Sequence, residues 1–129
     1  MAKTTQLTVT AESKPGVLAR VSEALSQAGI NITGVCAGEA AGRGKIRILV
    51  SDTTRAKQAL AAAKIRCSEE PALLLPLDNR PGALAAVASR LAAAKINIKC
   101  AYATTAGSGG TAHAVIVVAN PDKALKALG

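Results

Sequence analysis

The chain has 129 residues, which suffices for one ordinary domain or two very small ones. Half of the residues are hydrophobic, yet 29 are Ala, Phe and Trp are absent and Tyr102 is the sole aromatic, so any core must be built from Leu, Ile, Val and Ala. Sixteen Lys and Arg stand against eight Asp and Glu, and residues 1–66 carry +6 of the net +8, a field that suits anionic ligands or nucleic acid without distinguishing them.

In chain order, Leu7 and Val9 alternate with Thr8 and Thr10, which predicts a strand. Pro15-Gly16 then opens a helix whose apolar stripe is Leu18, Val21, Leu25 and Ala28. "INI" at 30–32 starts a second strand, "AGEAAGRG" reads as a Gly-rich hairpin turn, and "KIRILV" as a third strand with Ile46, Ile48 and Val50 on one side. "SDTTRAKQAL" begins a second helix, and "KIRCSE" at 64–69 is a candidate fourth strand.

The series then starts again. Leu73, Leu75 and Leu77 mark a strand, Pro81-Gly82 opens a helix with the stripe Leu84, Val87, Leu91 and Ala94, and Ile96 to Ile98 repeats "INI". "TTAGSGG" is the second hairpin turn, Ala114, Ile116 and Val118 define the next strand, and "ANPDKALKAL" is a last helix with Asn120 as N-cap and Pro121 in its first position. With Pro15 set against Pro81, 10 of the 19 positions from Pro15 to Thr33 are identical, which marks an internal duplication.

The expected fold class is therefore α+β. Two ferredoxin-like βαββαβ units lie side by side, the second lacking its last strand, with domains at 1–70 and 71–129. A 4-1-3-2 strand order follows, and the missing strand would leave the first strand of the second copy at an edge, where Pro76 is tolerated. The sheet face turned away from the helices is polar in copy one, with Thr8, Thr10, Lys45 and Arg47. In copy two it is apolar, with Leu74, Pro76, Val115 and Val117, which calls for a cover, either a second copy or another partner.

"AESKPGVLARVSEALSQAGINI" and "LDNRPGALAAVASRLAAAKINI" resemble the opening of ACT domains, and the whole chain is similar to small stand-alone proteins of two ACT domains in tandem. The resemblance implies that two such domains join through their second strands, and that a free amino acid binds at the seam, between one domain's first loop and helix and its neighbour's second strand. It further implies one site from Asn79 and Gly82 with Asn31, and another from Ser13 and Gly16 with Asn97. Ser13 stands where the family pattern has Asn, so the Asn79 site is expected to bind more tightly. The implied partners are a second copy or an enzyme of amino-acid metabolism.

The chemistry of these residues suits that ligand. A helix start offers unpaired N–H groups to a carboxylate, Gly16 and Gly82 permit close approach, and an Asn amide can both accept from an ammonium and donate to a carboxylate. Asn31 and Asn97 can equally serve only as turn residues between helix and strand.

Other readings fare worse. No nucleophile-base pair, carboxylate dyad or metal constellation stands out, so the expectation is a non-enzyme without cofactor or metal, and His113 reads as a sheet-face residue. "AGSGG" lacks the Lys-Ser/Thr of a P-loop. Cys36, Cys67 and Cys100 are odd in number and without a CxxC pair, which argues against a disulfide framework or zinc site and leaves them as small hydrophobes. RNA binding would fit the charge but lacks the stacking aromatics of that module, so nucleic acid is disfavoured. "MAKTTQLTV" has no apolar signal region and no run approaches the ~20 residues that span a bilayer, so a cytoplasmic protein without membrane contact is expected. An assembly module without ligand remains the alternative.

Overall fold

The computed structural model describes residues 2–104 and 111–129. Their elements, in chain order, are β1 (Ala2–Glu12), α1 (Val17–Gln27), β2 (Ile32–Ala40), β3 (Arg43–Val50), α2 (Thr53–Ala62), β4 (Ser68–Asp78), α3 (Ala83–Ala93), β5 (Ile98–Thr104), β6 (Thr111–Val118) and α4 (Pro121–Leu128). The duplicated pattern is thus realised as α+β units of the ferredoxin-like kind. The second Gly-rich turn falls on residues 105–110, outside the described residues.

The chain divides into a first unit, Thr5–Glu70, and a second, Met1–Thr4 with Pro71–Gly129. In the first unit β1 and β3 are antiparallel with Leu7 opposite Ile48, β2 and β3 are antiparallel with Val35 opposite Ile48, and the strand order from β4 is β4-β1-β3-β2. That is the 4-1-3-2 order. In the second unit β4 pairs with β6, Leu75 opposite Ala114, and β6 with β5, Ala103 opposite Ala114. Each second strand carries the same register shift, between Ile32 and Gly34 in β2 and between Ile98 and Cys100 in β5, so even the irregularity is duplicated.

Two expectations about strands need correction. Residues 64–69 do not form a fourth strand of their own, because β4 runs unbroken from Ser68 to Asp78 and its first residues, 68–70, complete the first unit. Nor is β4 an edge. The second unit has no strand after α4 among the described residues, but Ala2 to Thr4 belong to it, so β4 has β1 on one side and β6 on the other. Lys3 also pairs there with Asp122 of α4 at 2.8 Å.

The first hairpin is tighter than its glycine content suggests. β2 continues to Ala40 and β3 resumes at Arg43, leaving a two-residue turn in which Ala41 and Gly42 have φ of 52° and 78°. Two successive positive φ values are the mark of the turn that matches strand twist.

Each unit has its own core, packed between one sheet face and two helices. In the first, Leu7, Val9, Ile46 and Ile48 meet Val21 and Leu25 of α1 and Ala56 and Leu60 of α2. In the second, Leu73, Leu75, Ala114, Ile116 and Val118 meet Leu91 of α3 and Ala124 and Leu128 of α4. These are the alternating and striped positions of the sequence, except that the first member of each helical stripe, Leu18 and Leu84, is 44% and 51% exposed.

Helix ends follow from local chemistry. Asp52 and Asn120 cap α2 and α4, each side chain accepting from the backbone N–H three residues on, Arg55 and Lys123, at 3.1 Å. α1, α2 and α3 end alike, with Ile30, Ile65 and Ile96 donating back to Leu25, Leu60 and Leu91 at 3.0, 2.8 and 2.9 Å. The residue before each Ile, namely Gly29, Lys64 or Lys95, is left-handed, with φ of 72°, 61° and 58°.

The outer sheet face also departs from expectation. Val115 and Val117 are only 4% and 2% exposed, although they point away from the helices. Their strand neighbours shield them: Leu74 and Tyr102 flank Val115, and Cys100 flanks Val117. Only Pro76 of the four expected apolar positions is exposed, so the open patch is smaller than the alternation implied.

Candidate functional site

The turn from β1 into α1 is built around Ser13 and Gly16. The Ser13 N–H donates to the Gly42 carbonyl at 3.0 Å, tying the turn to the β2–β3 hairpin, and its Oγ donates to Glu39 Oε2 at 2.6 Å. Gly16 stands at the N-cap of α1 with φ of 94°, and Gly82 holds the same place on α3 with φ of 89°. A Cβ at either glycine would meet nothing within 4 Å. Backbone handedness, and not lack of room, is therefore what selects glycine there.

Neither N-cap supplies a side-chain acceptor, in contrast to Asp52 and Asn120. In α3 the Ala83 N–H donates to the Arg80 carbonyl at 3.4 Å, and the first turns of α1 and α3 offer N–H groups that no N-cap side chain accepts from. Beside the start of α1 lies a cavity of about 260 Å³, lined by Ser13, Val17 and Leu18 on one side and Ala37, Gly38 and Glu39 of β2 on the other. This cavity explains the exposure of Leu18: it borders the opening instead of the core. Glu12, Lys14 and Glu39 bring both signs of charge to its rim.

In the second unit the equivalent turn is Asn79 to Gly82. Asn79 is exposed, and the turn is held by the Arg80 N–H donating to the Asp78 carbonyl at 2.8 Å and by an Arg80–Asp78 ion pair at 3.3 Å. Leu84 repeats the exposure of Leu18.

Asn31 and Asn97 sit immediately before β2 and β5, both exposed. The Asn31 backbone is fixed by a reciprocal pair, its N–H donating to Ser51 Oγ at 3.1 Å and its carbonyl accepting from the Ser51 N–H at 3.0 Å. Asn31 and Ser13 belong to opposite ends of β2, since Ile32 pairs with Val50 while Gly38, beside Ser13 in the cavity, pairs with Lys45. The first unit thus brings Ser13 and Gly16 together and leaves its own Asn31 the length of a strand away.

β2 is hydrogen-bonded to β3 and β5 to β6, and among the described residues neither has a strand on its outer side, so the two second strands do not join each other within the chain as the resemblance implied. β2 is nine residues long, carries the half-exposed Val35 on its helix-side face and holds no Lys, Arg or Pro to discourage pairing. Glu39 is the functional candidate that the sequence did not single out. Its contact with Ser13 depends on the hairpin folding back over the turn, and no local spacing announces that.

Among the described residues no cluster of three or more His, Cys, Asp or Glu forms a metal site, and no helix is long and apolar enough to cross a membrane. Cys36, Cys67 and Cys100 are unbridged and half-buried.

Comparison with known proteins agrees with these features. The family model of an ACT domain pair matches residues 2–128, and the chain belongs to that family. A solved structure, protein BT0572 from Bacteroides thetaiotaomicron, is 32% identical and superposes with a TM-score of 0.88 over 98% of this chain and 86% of its own. The regulatory subunit of aspartate kinase from Thermus thermophilus, in its ligand-free form, shares the fold at 19% identity, with a TM-score of 0.67 over 99% of this chain and 95% of its own. The corresponding subunit from Thermus flavus does so at 19% identity, with a TM-score of 0.63 over 98% and 93%. The search of curated proteins returns no match.

Proposed function

We propose that this protein is a noncatalytic regulatory protein of the cytoplasm that binds a free amino acid at the helix starts of its two ACT domains, residues 1–70 and 71–129, and associates as a homodimer. The observation that carries this reading is the pair of helix starts at Gly16 and Gly82, each without a side-chain cap. An α-carboxylate would receive the first-turn N–H groups of α1, while the ammonium would face Glu39 and Glu12 across a cavity of about 260 Å³.

The edges of β2 and β5, unpaired among the described residues, support a second copy as the source of the remaining ligand contacts. Strands that dock antiparallel place the start of one beside the end of the other. A second copy's β5 on β2 would therefore deliver Asn97 to Ser13 and Gly16, and a second copy's β2 on β5 would deliver Asn31 to Asn79 and Gly82. Ligand that bridges two copies favours the assembled state by its differential affinity for it. The responding partner would be an enzyme of amino-acid metabolism, a role in keeping with neighbours of the same fold that are regulatory subunits of aspartate kinase.

The Asn79 site is the tighter of the two in this reading, because the Ser13 hydroxyl is short and already donates to Glu39. A thermal-shift screen against the twenty amino acids, with size-exclusion chromatography on any hit, tests the proposal. Ligand at a hundred times its dissociation constant adds about 2.7 kcal/mol. The shift should fall to what the weaker Ser13 site alone supplies in Asn79→Ala/Asn31→Ala, and equal affinities of Asn79→Ala and Ser13→Ala would contradict the ranking.

A second reading, an assembly module without ligand, is favoured by the exposure of Val35, Leu18 and Leu84 at 47%, 44% and 51%. Self-association with no response to any amino acid would select it.

A further inference from the structure

Most of the charge excess of the first 66 residues lies outside the amino-acid site. Part of it converges on an adjoining cavity of about 280 Å³ in the first unit, between the end of β1, the start of α1 and the connection from α2 to β4, which shares Glu12, Lys14 and Val17 with the cavity beside Ser13. Lys14, Arg20, Lys64 and Arg66 line it, against Glu12 as the one carboxylate. Its floor is apolar, formed by Val9, Val21 and Ile65, which are buried. Arg20 is held in place by its Nη2, which donates to the Ala63 carbonyl at 2.9 Å. Among the described residues Lys14, Lys64 and Arg66 enter no ion pair.

Four cations around a single opening repel one another, the lone carboxylate of Glu12 offsets this only in part, and a bound anion would relieve the remaining repulsion. The helix end contributes directly. Lys64 occupies the left-handed position that closes α2, at φ 61°, so the residues that follow it, Ile65 and Arg66, turn back over the cavity as floor and rim. The arrangement is not a property of the repeat, since Ala86 stands in copy two where copy one has Arg20.

We propose that this cavity binds a small organic phosphate, its phosphate held by Arg66, Lys64, Lys14 and Arg20 and its apolar body resting on Val9, Val21 and Ile65. Guanidinium groups match phosphate oxygens two at a time, and lysines add mobile point charges. A volume of about 280 Å³ admits a monophosphate of modest size. It is too small for an extended polymer.

Titration calorimetry of the full chain at fixed ionic strength, with phenyl phosphate, inorganic phosphate, a short single-stranded oligonucleotide and potassium chloride as probes, tests this. Phenyl phosphate should bind saturably and more tightly than inorganic phosphate, with no saturable signal from the chloride. Arg66→Gln and Lys64→Asn should each weaken it by about tenfold or more. Asn tolerates the left-handed backbone, and both side chains are exposed, so these variants keep the fold. Neither residue lines the Ser13 cavity, so any amino-acid response should survive in both variants, which separates this site from the proposed function. Four results would overturn the proposal: a response reproduced by chloride, unchanged affinity in both variants, inorganic phosphate binding as well as phenyl phosphate, or binding only of a single-stranded oligonucleotide. The last would reassign the cations to nucleic acid.

Discussion

Arg47 Nε donates to Glu70 Oε1 at 3.0 Å, and the same oxygen accepts from Gln6 Nε2 at 2.9 Å. The pair lies on the face of the first unit's sheet away from its helices, with the side chains of Arg47 and Glu70 only 16% and 21% exposed and Gln6 fully buried. Glu70 is the last residue of the first unit, so this contact fastens the opening residues of β4 to that unit's sheet.

Burial alone would raise the pKa of Glu70, but the hydrogen bonds from Arg47 and Gln6 and the charges of Arg47 and Lys45 outweigh it, and the net effect is a lowered value. A carboxylate whose folded pKa lies below its unfolded one stabilises fully above the unfolded value, about 4.3 for glutamate, and loses that contribution as pH falls through the folded one. Glu70→Gln should therefore cost about 1–3 kcal/mol at neutral pH and progressively less in acid. Denaturant titrations of both proteins from neutral pH down to below the unfolded glutamate value would show the two stabilities converging. A pH-independent difference would mean that the charge of Glu70 does not matter.

Three helices end on the same return hydrogen bond, yet only one has Gly at the left-handed position. A side chain with a Cβ at such a φ costs roughly 1–2 kcal/mol, offset in part by the greater unfolded-state entropy of Gly. Lys95→Gly should therefore stabilise the protein by about 0.5–1 kcal/mol, read as an increased denaturation midpoint with unchanged slope.

How far these features could be read in advance depends on whether their cause is local. The repeat, the alternation of Leu73, Leu75 and Leu77 and the cap at Asn120 report short-range chemistry, and all appear as expected. Features that depend on distant segments do not. Gln6 and Glu70 look like solvent residues until 64 positions of chain bring them together. The continuity of β4 hid itself because "KIRCSE" and "LLLPL" each read as the start or end of a separate strand. Leu18 continues the stripe of Val21 and Leu25, and only the cavity at Ala37 and Glu39 turns it outward. Of the residues proposed for the site, Ser13, Gly16, Asn79 and Gly82 were legible in the duplicated motif as turn residues before α1 and α3. Glu39 was not, because it arrives through tertiary folding of the hairpin.

The duplicated cores allow a matched test of packing. Leu25 and Leu91 occupy the same place in the repeat, and both are 0% exposed. Truncation to Ala at either position should destabilise by about 2–5 kcal/mol, the range for a buried Leu whose surroundings relax only partly. Thermal unfolding of the two variants would show whether the two cores are of similar strength. A loss below about 1 kcal/mol at either site would contradict the burial described for it.

Val35 offers the most direct handle on assembly. It stands on the unpaired β2 edge, opposite Ile48 and 47% exposed, on the sheet face that the helices cover. A lysine at such a position is one of the means by which sheet edges resist pairing, because docking a strand against it would desolvate the charge. Val35→Lys should leave monomer stability within about 0.5 kcal/mol, as exposed substitutions usually do. If the protein forms the proposed homodimer through β2, the variant should also shift sedimentation at micromolar concentration from dimer toward monomer. If a second copy completes the amino-acid site, the same variant loses the ligand-induced thermal shift even though Ser13, Gly16, Asn79 and Gly82 are untouched. Retention of both dimer and ligand response would place the interface elsewhere than β2, and loss of the dimer with ligand binding intact would show that one chain alone forms the site.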